Sequence, residues 1–196
     1  ILIGYGGALS ADNEVYIGNS TITSVGGPVN WTATSDGRFK RNVRENVGGM
    51  DFIRRLRPVT YNMDVAAMEA FHGREISPAL RAAAADKEEV RYTGFIAQEV
   101  EEAARESGYD FSGVDVPEDA DEAYGIRYAE FTAPLVKATQ ELDERVQELE
   151  AMVERLAKAL EVREAEYQKL LSETQGKDKE IQAKRPFESG ASSPQP

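Results

Sequence analysis

The chain has 196 residues, enough for one ordinary domain or two small ones, and no apolar run that approaches a membrane span. Lys and Arg total 23 against 35 Asp and Glu, a net charge of −12, which argues against nucleic acid or an anionic membrane as the main partner. There is no cysteine and one histidine, His72. Disulfides, thiolate sites, a histidine metal cluster and a Ser-His triad within one chain are therefore not expected, nor is a cofactor.

Ile1 opens the chain in mid-pattern, as expected of a piece of a longer polypeptide. Ile1-Leu2-Ile3-Gly4 recurs as Val15-Tyr16-Ile17-Gly18, and Ser10 recurs as Ser24, a period of 14. Short apolar triplets that end in Gly suit stacked short strands with tight turns. Two copies cannot bury a core alone, so 1–28 reads as the end of a longer β-solenoid, closed by Gly26-Gly27-Pro28.

Val29-Asn30-Trp31-Thr32-Ala33-Thr34 is β-branched and aromatic and predicts a strand. Asp36-Gly37 is a hairpin signal. The stretch 38–43 reads either as the returning strand or as the start of a helix. A short amphipathic helix is expected over 51–56, with Phe52, Ile53 and Leu56 on one side. A strand over 57–63 starts at Pro58.

A helix is predicted over 65–71, with His72 at its end. Another starts at Ser77-Pro78 and runs through the Ala-rich 80–86, a weakly held excursion. A strand over 90–96 precedes a helix over 97–105 that stops near Gly108. The stretch 114–123 reads as an acidic loop and 124–128 as a short strand. Basic residues gather in 38–57 (Arg38, Lys40, Arg41, Arg44, Arg54, Arg55, Arg57) and acids from Glu88 onward. The two segments are able to pair, or to remain two solvated surfaces.

A long helix follows, with Thr132 as the expected N-cap and Pro134 in the first turn. Apolar residues alternate at spacings of three and four: Leu135, Leu142, Val146, Leu149, Val153, Leu156, Leu160, Tyr167 and Leu170. Thr139 and Arg163 fill the other seam positions. A seam kept this long predicts a coiled coil. Arg145 and Glu150 fall at g and e positions, as an inter-chain salt bridge requires. Val at a with Leu at d favours two strands. The pattern ends at Gly176, and 176–196 reads as a disordered tail.

Ser35-Asp36-Gly37-Arg38-Phe39-Lys40 carries the candidate chemistry. Without a histidine partner a serine nucleophile needs another base, and lysine is the usual substitute. A lysine acts as base only when neutral, whereas the free side chain titrates near ~10.4, so it needs burial or neighbouring cations. Lys40 has Arg38 and Arg41 beside it in sequence, and Trp31 and Phe39 available to bury it. A turn at Asp36-Gly37 returns Lys40 toward Ser35. Asp36 is placed to orient Lys40, to activate water, or to hold Lys40 protonated. Ser35 reaches the carbonyl of Thr34 through a five-membered ring; cutting after Ser35 needs a nucleophile from elsewhere. The same residues also suit an ordinary surface turn.

Four motifs occur in order: Ser35-Asp36-x-Arg38-x-Lys40-x-Asn42, then Leu56-Arg57-Pro58-Val59-Thr60-Tyr61, then Gly94-Phe95-Ile96-Ala97-Gln98-Glu99-Val100, then Tyr128 with Pro134-Leu135 opening the heptads. This arrangement, over about residues 35–160, resembles the intramolecular chaperone auto-processing domain, the peptidase S74 family of phage tail spikes and fibres. The upstream repeat is similar to YadA-like head repeats. The resemblance implies a homotrimer whose C-terminal domain guides fibre assembly and releases itself by cleavage adjacent to Ser35, at the bond to Thr34 or to Asp36. It implies a Ser35/Lys40 dyad with Asp36, Arg38 and Asn42 in support.

The expected organisation is α+β. It comprises a β-repeat fibre end over 1–34, the chaperone domain over 35–131, a trimeric coiled-coil helix over 132–175 and a tail over 176–196. The expected setting is a phage virion tail fibre or a bacterial cell surface. The partners are further copies of the chain and its own upstream fibre domain, with no membrane insertion. The rival is a permanent trimerisation or adhesion module that is never cut, and a dimeric coiled-coil adaptor is a third reading.

Overall fold

The computed structural model describes residues 1–4 and 15–183. Ser10, half of the expected Ser10/Ser24 repeat, lies outside the described residues. The chain divides into two units, Ile1–Leu142 and the part from Asp143 onward.

In the first unit, β1 (Leu2–Ile3) pairs in parallel with β2 (Tyr16–Ile17), Leu2 opposite Tyr16 and Ile3 opposite Ile17. The offset equals the 14-residue sequence period. Gly18 ends β2 with φ +89°, and a Cβ there would run into Ile22. Asn19 Oδ1 then accepts from the amide and hydroxyl of Thr21 at 2.9 and 2.8 Å. Among the described residues this is a single pair, not the stack a solenoid requires.

Residues 23–46 are exposed apart from Asp36 and contain no strand. The strand expected over 29–34 and the Asp36-Gly37 hairpin are thus absent. Propensity for extended structure is realised only against a partner, and among the described residues none pairs with 29–34. In place of the hairpin is one 3-10 turn, Gly37–Phe39.

The core gathers on α1 (Met50–Ile53) and α4 (Ala97–Ser107). Phe52 is fully buried against Val100, Ala103, Ala104 and Phe131. The α4 trio sits at i, i+3 and i+4, one helical face. Phe52 and Phe111 centroids lie 4.9 Å apart, and Phe111 meets Phe131 edge-on at 4.8 Å. Helix α4 ends as its sequence demands: Gly108 takes the left-handed conformation, φ +66°, and the Tyr109 amide donates to the Ala104 carbonyl at 2.9 Å.

Strand β3 (Val59–Tyr61) pairs antiparallel with β4 (Tyr92–Gly94). Between them lie α2 (Val65–Phe71), capped by Asp64, whose carboxylate accepts from the Ala67 amide at 2.7 Å, and α3 (Arg81–Glu88), led in by a 3-10 turn at Pro78–Leu80. His72 closes α2. This excursion is better held than its Ala-rich sequence predicts. Asn62 Nδ2 donates to the carbonyls of Glu88 and Val90, and the Val65 amide donates to Glu88 Oε1 at 3.1 Å, closing its base.

Strand β5 (Val114–Asp115) occupies the start of the expected acidic loop and pairs antiparallel with β6 (Gly125–Ile126). A 3-10 turn, Tyr128–Phe131, runs into α5 (Thr132–Ala183). Thr132 is therefore already helical, φ −60° and ψ −45°, and is not the N-cap. Phe131, Pro134 and Ala138 are buried, which fixes the start of α5 in the core.

The second unit is the remainder of α5. Its apolar stripe is uncovered: Leu149 is 56% exposed and Val153 64%. The helix is long and compatible with a coiled coil. It continues past Gly176, where the heptad pattern stops, to Ala183. The rest of the expected tail, 184–196, lies outside the described residues.

Candidate functional site

The turn that carries the candidate site is organised by Asp36. Its side chain caps the 3-10 turn, Oδ1 accepting from the Arg38 amide at 2.9 Å. The Arg38 guanidinium folds back onto the same carboxylate, with Nη2 2.6 Å from Oδ2 and Nε 3.1 and 3.0 Å from the two oxygens. The Phe39 amide donates to the Asp36 carbonyl and the Lys40 amide to the Gly37 carbonyl, each at 3.1 Å. This reversal brings the ends of the motif together: Lys40 Nζ donates to Ser35 Oγ at 2.8 Å. Asn42 then sits at φ +53°, a left-handed conformation that Asn tolerates better than other non-glycine residues.

Of the five motif residues, the structure brings Ser35 to Lys40 and Asp36 to Arg38. Asp36 points at Arg38 and not at Lys40, and Arg38 holds its carboxyl below the ordinary carboxylate value. The expectation that Trp31 and Phe39 bury Lys40 does not hold in the single chain. Trp31 is 87% exposed and Phe39 74%, and Ser35 and Lys40 are themselves exposed. The whole of 23–46 apart from Asp36 is exposed, so among the described residues nothing covers the pair. Arg38 is likewise spent on Asp36, and its guanidinium carbon lies 5.8 Å from the centre of the Phe39 ring. The site therefore has the contact a proton transfer needs but not the dry surroundings.

Of the two readings of the basic and acidic segments, pairing occurs within the chain, at exposed positions. Arg55 Nη1 bonds Glu106 at 2.9 Å and Arg57 Nε bonds Glu99 at 3.0 Å. Both pairs are exposed and contribute little to stability. They tie the segment after α1 to α4.

Two relationships had no signal in the sequence pattern. The Phe95 amide donates to the Tyr128 hydroxyl at 3.2 Å, and the Met50 amide donates to Glu141 Oε2 at 2.7 Å. Each joins residues far apart in the chain, where periodicity carries no information. Tyr128 stood in a motif, without a role; Glu141 did not.

Residues 35–109 match the family model Peptidase_S74, described as chaperone of endosialidase. The match starts at the serine that Lys40 contacts and ends at Tyr109, at the close of α4. No curated protein matches the chain.

Proposed function

We propose that this chain, whose residues 35–109 carry a chaperone-of-endosialidase domain, drives homotrimeric assembly of a fibre and then frees itself by cleavage next to Ser35. The carrying observation is the 2.8 Å contact between Ser35 and Lys40 at the first residue of the family match. The uncovered seam on α5 supports association. Its a and d residues stay exposed among the described residues of one chain, and other copies of the same helix offer a matching seam.

The division of labour follows from folding physics. Stacked short strands make non-local contacts and register slowly, whereas helices with heptads associate through local structure and raise the effective concentration of the chains they join. The β-repeat upstream of Ser35 is the fibre part, and the chain from Ser35 is the assembly aid. Removing the aid leaves an assembled fibre that cannot retrace its route. The setting is a phage tail fibre or spike, or a bacterial surface fibre.

In the cleavage step a neutral Lys40 amine takes the Ser35 hydroxyl proton as Oγ attacks the Thr34 carbonyl carbon. The C–N bond to Ser35 breaks, its nitrogen receives the proton, and an ester joins Thr34 to Oγ. Water then hydrolyses the ester, leaving a Thr34 carboxylate and restoring the hydroxyl. Cleavage between Ser35 and Asp36 instead requires attack by a group other than Ser35 Oγ. Asp36, by engaging Arg38, shapes the turn and leaves Lys40 to Ser35.

Intact-mass measurement of the purified protein tests this reading. The expected product lacks the first 34 or 35 residues, and Ser35→Ala or Lys40→Ala restores the full mass. Wild-type protein that stays whole in an assembled trimer overturns the cleavage and leaves a permanent trimerisation module. A two-chain mass in solution overturns the trimer, an outcome that the Val and Leu seam gives a specific reason to look for.

A further inference from the structure

A groove of about 740 Å³, within the range of small ligand-binding clefts, lies along β3 and the start of α4, bounded by Val59, Thr60, Tyr61, Ile96, Ala123 and Tyr124. Three consecutive β3 residues line it. Successive side chains of a strand point to opposite faces, so a wall made of all three runs along the strand's edge. That edge is open: β3 has one partner, β4, among the described residues. Arg57 at the rim is already engaged by Glu99, so the groove presents no unpaired cation to an occupant.

The same molecule carries a segment that suits such an edge and pairs with none among the described residues. Residues 29–34 are β-branched, aromatic and uncharged, yet they form no strand, and Val29 is 81% exposed. An open strand edge and a strand-forming segment that forms no strand are the two halves of β-augmentation. In a single chain both are present and they do not meet. The seam on α5 supplies the other copies.

We infer that, in the assembled protein, residues 29–34 of one copy add as a strand to the β3 edge of a second copy, with Trp31 entering the groove. This rests on the assembly reading above and deepens it. Docking 29–34 covers the chain immediately before Ser35 and gives the Ser35/Lys40 pair an apolar neighbour supplied in trans. The pair then becomes dry only after copies have met, which orders cleavage after assembly.

The absence of cysteine allows a direct test. In full-length protein carrying Ser35→Ala to keep 29–34 attached, Thr32→Cys is placed on one tagged chain and Thr60→Cys on a differently tagged one. The two are co-assembled and oxidised. The expected result is a disulfide-linked pair containing one chain of each tag. The solution mass is measured in parallel. Assembled protein without the mixed link overturns the docking and leaves the assembly reading standing. Cross-linking only within a chain that carries both cysteines overturns it too, in favour of docking in cis. Protein that does not assemble overturns both. Trp31, the only tryptophan, gives a second readout. Its emission shifts to shorter wavelength on assembly, and Ala123→Arg, at an exposed position on the groove wall, abolishes the shift without changing the mass. An unchanged shift in that variant counts against the groove.

Discussion

Glu141 sets its carboxylate on the Met50 amide, 2.7 Å away, so the third turn of α5 caps the first turn of α1. An anion is favoured at that position because the first amides of a helix have no internal acceptor. Gly49, just before α1, is buried, and a Cβ there would meet the Glu141 carboxylate. Glu141→Ala is therefore expected to destabilise the protein by about 1–3 kcal/mol, the cost of an amide left without its acceptor. Gly49→Ala should cost less in that background than in wild type, because the clashing group is gone. Urea unfolding of the two single variants and the double variant measures both effects. Equal costs for Gly49→Ala in the two backgrounds would show that the contact does not couple them.

Asp36 holds the turn that presents Lys40 to Ser35. Asp36→Ala removes the cap of the 3-10 turn and releases Arg38. If the chain cuts itself beside Ser35, processing should slow in this variant, because the turn that joins Lys40 to Ser35 loses its cap. The course of full-length mass against time checks this. A rate equal to wild type would mean that the Ser35/Lys40 contact forms without the cap.

Leu149 stands at a d position of the seam and is exposed in the single chain. If association buries it, Leu149→Ala removes about 2–5 kcal/mol from each buried site and weakens assembly at least tenfold. Light scattering across a dilution series reads this as a rise in the dissociation midpoint. Glu161→Ala, on the same helix and outside the seam, should leave it in place.

Tyr61 and Tyr109 are both held above the ordinary tyrosine value of 10.0, chiefly by burial, with Tyr128 adding to the shift at Tyr61. A group whose folded pKa is raised stabilises the fold fully below its unfolded value and loses that contribution as pH rises through the folded one. Stability should hold up to about pH 10 and fall above it. Tyr61→Phe should shallow the decline. Unfolding free energies measured between pH 8 and pH 11 test the slope.

Much of this was legible because local chemistry decides it. Gly108 ends α4 since a left-handed residue is needed there, and Pro78 starts the turn before α3. Ser35 and Lys40 are near enough in sequence for one turn to join them. What stayed hidden depends on partners. The strand expected at 29–34 needs an edge, and this chain alone does not bring one to it. Thr132 looked like a cap because the 3-10 turn ahead of it, built on Tyr128 and Phe131, follows from core packing and not from propensity. Strand β6 lies within the strand expected over 124–128, but its partner β5 has two residues, too few for alternation to register.

Gly94 lies where any side chain would strike the Tyr128 hydroxyl, and Tyr128 opens the 3-10 turn that leads into α5. The two positions are thus a lock and its ward. In a selection for function, Gly94→Ala should be rescued by second-site changes at residue 128, with Tyr128→Phe, which clears the obstructing oxygen, first among them. Lineages of this domain should change the two residues together or keep both.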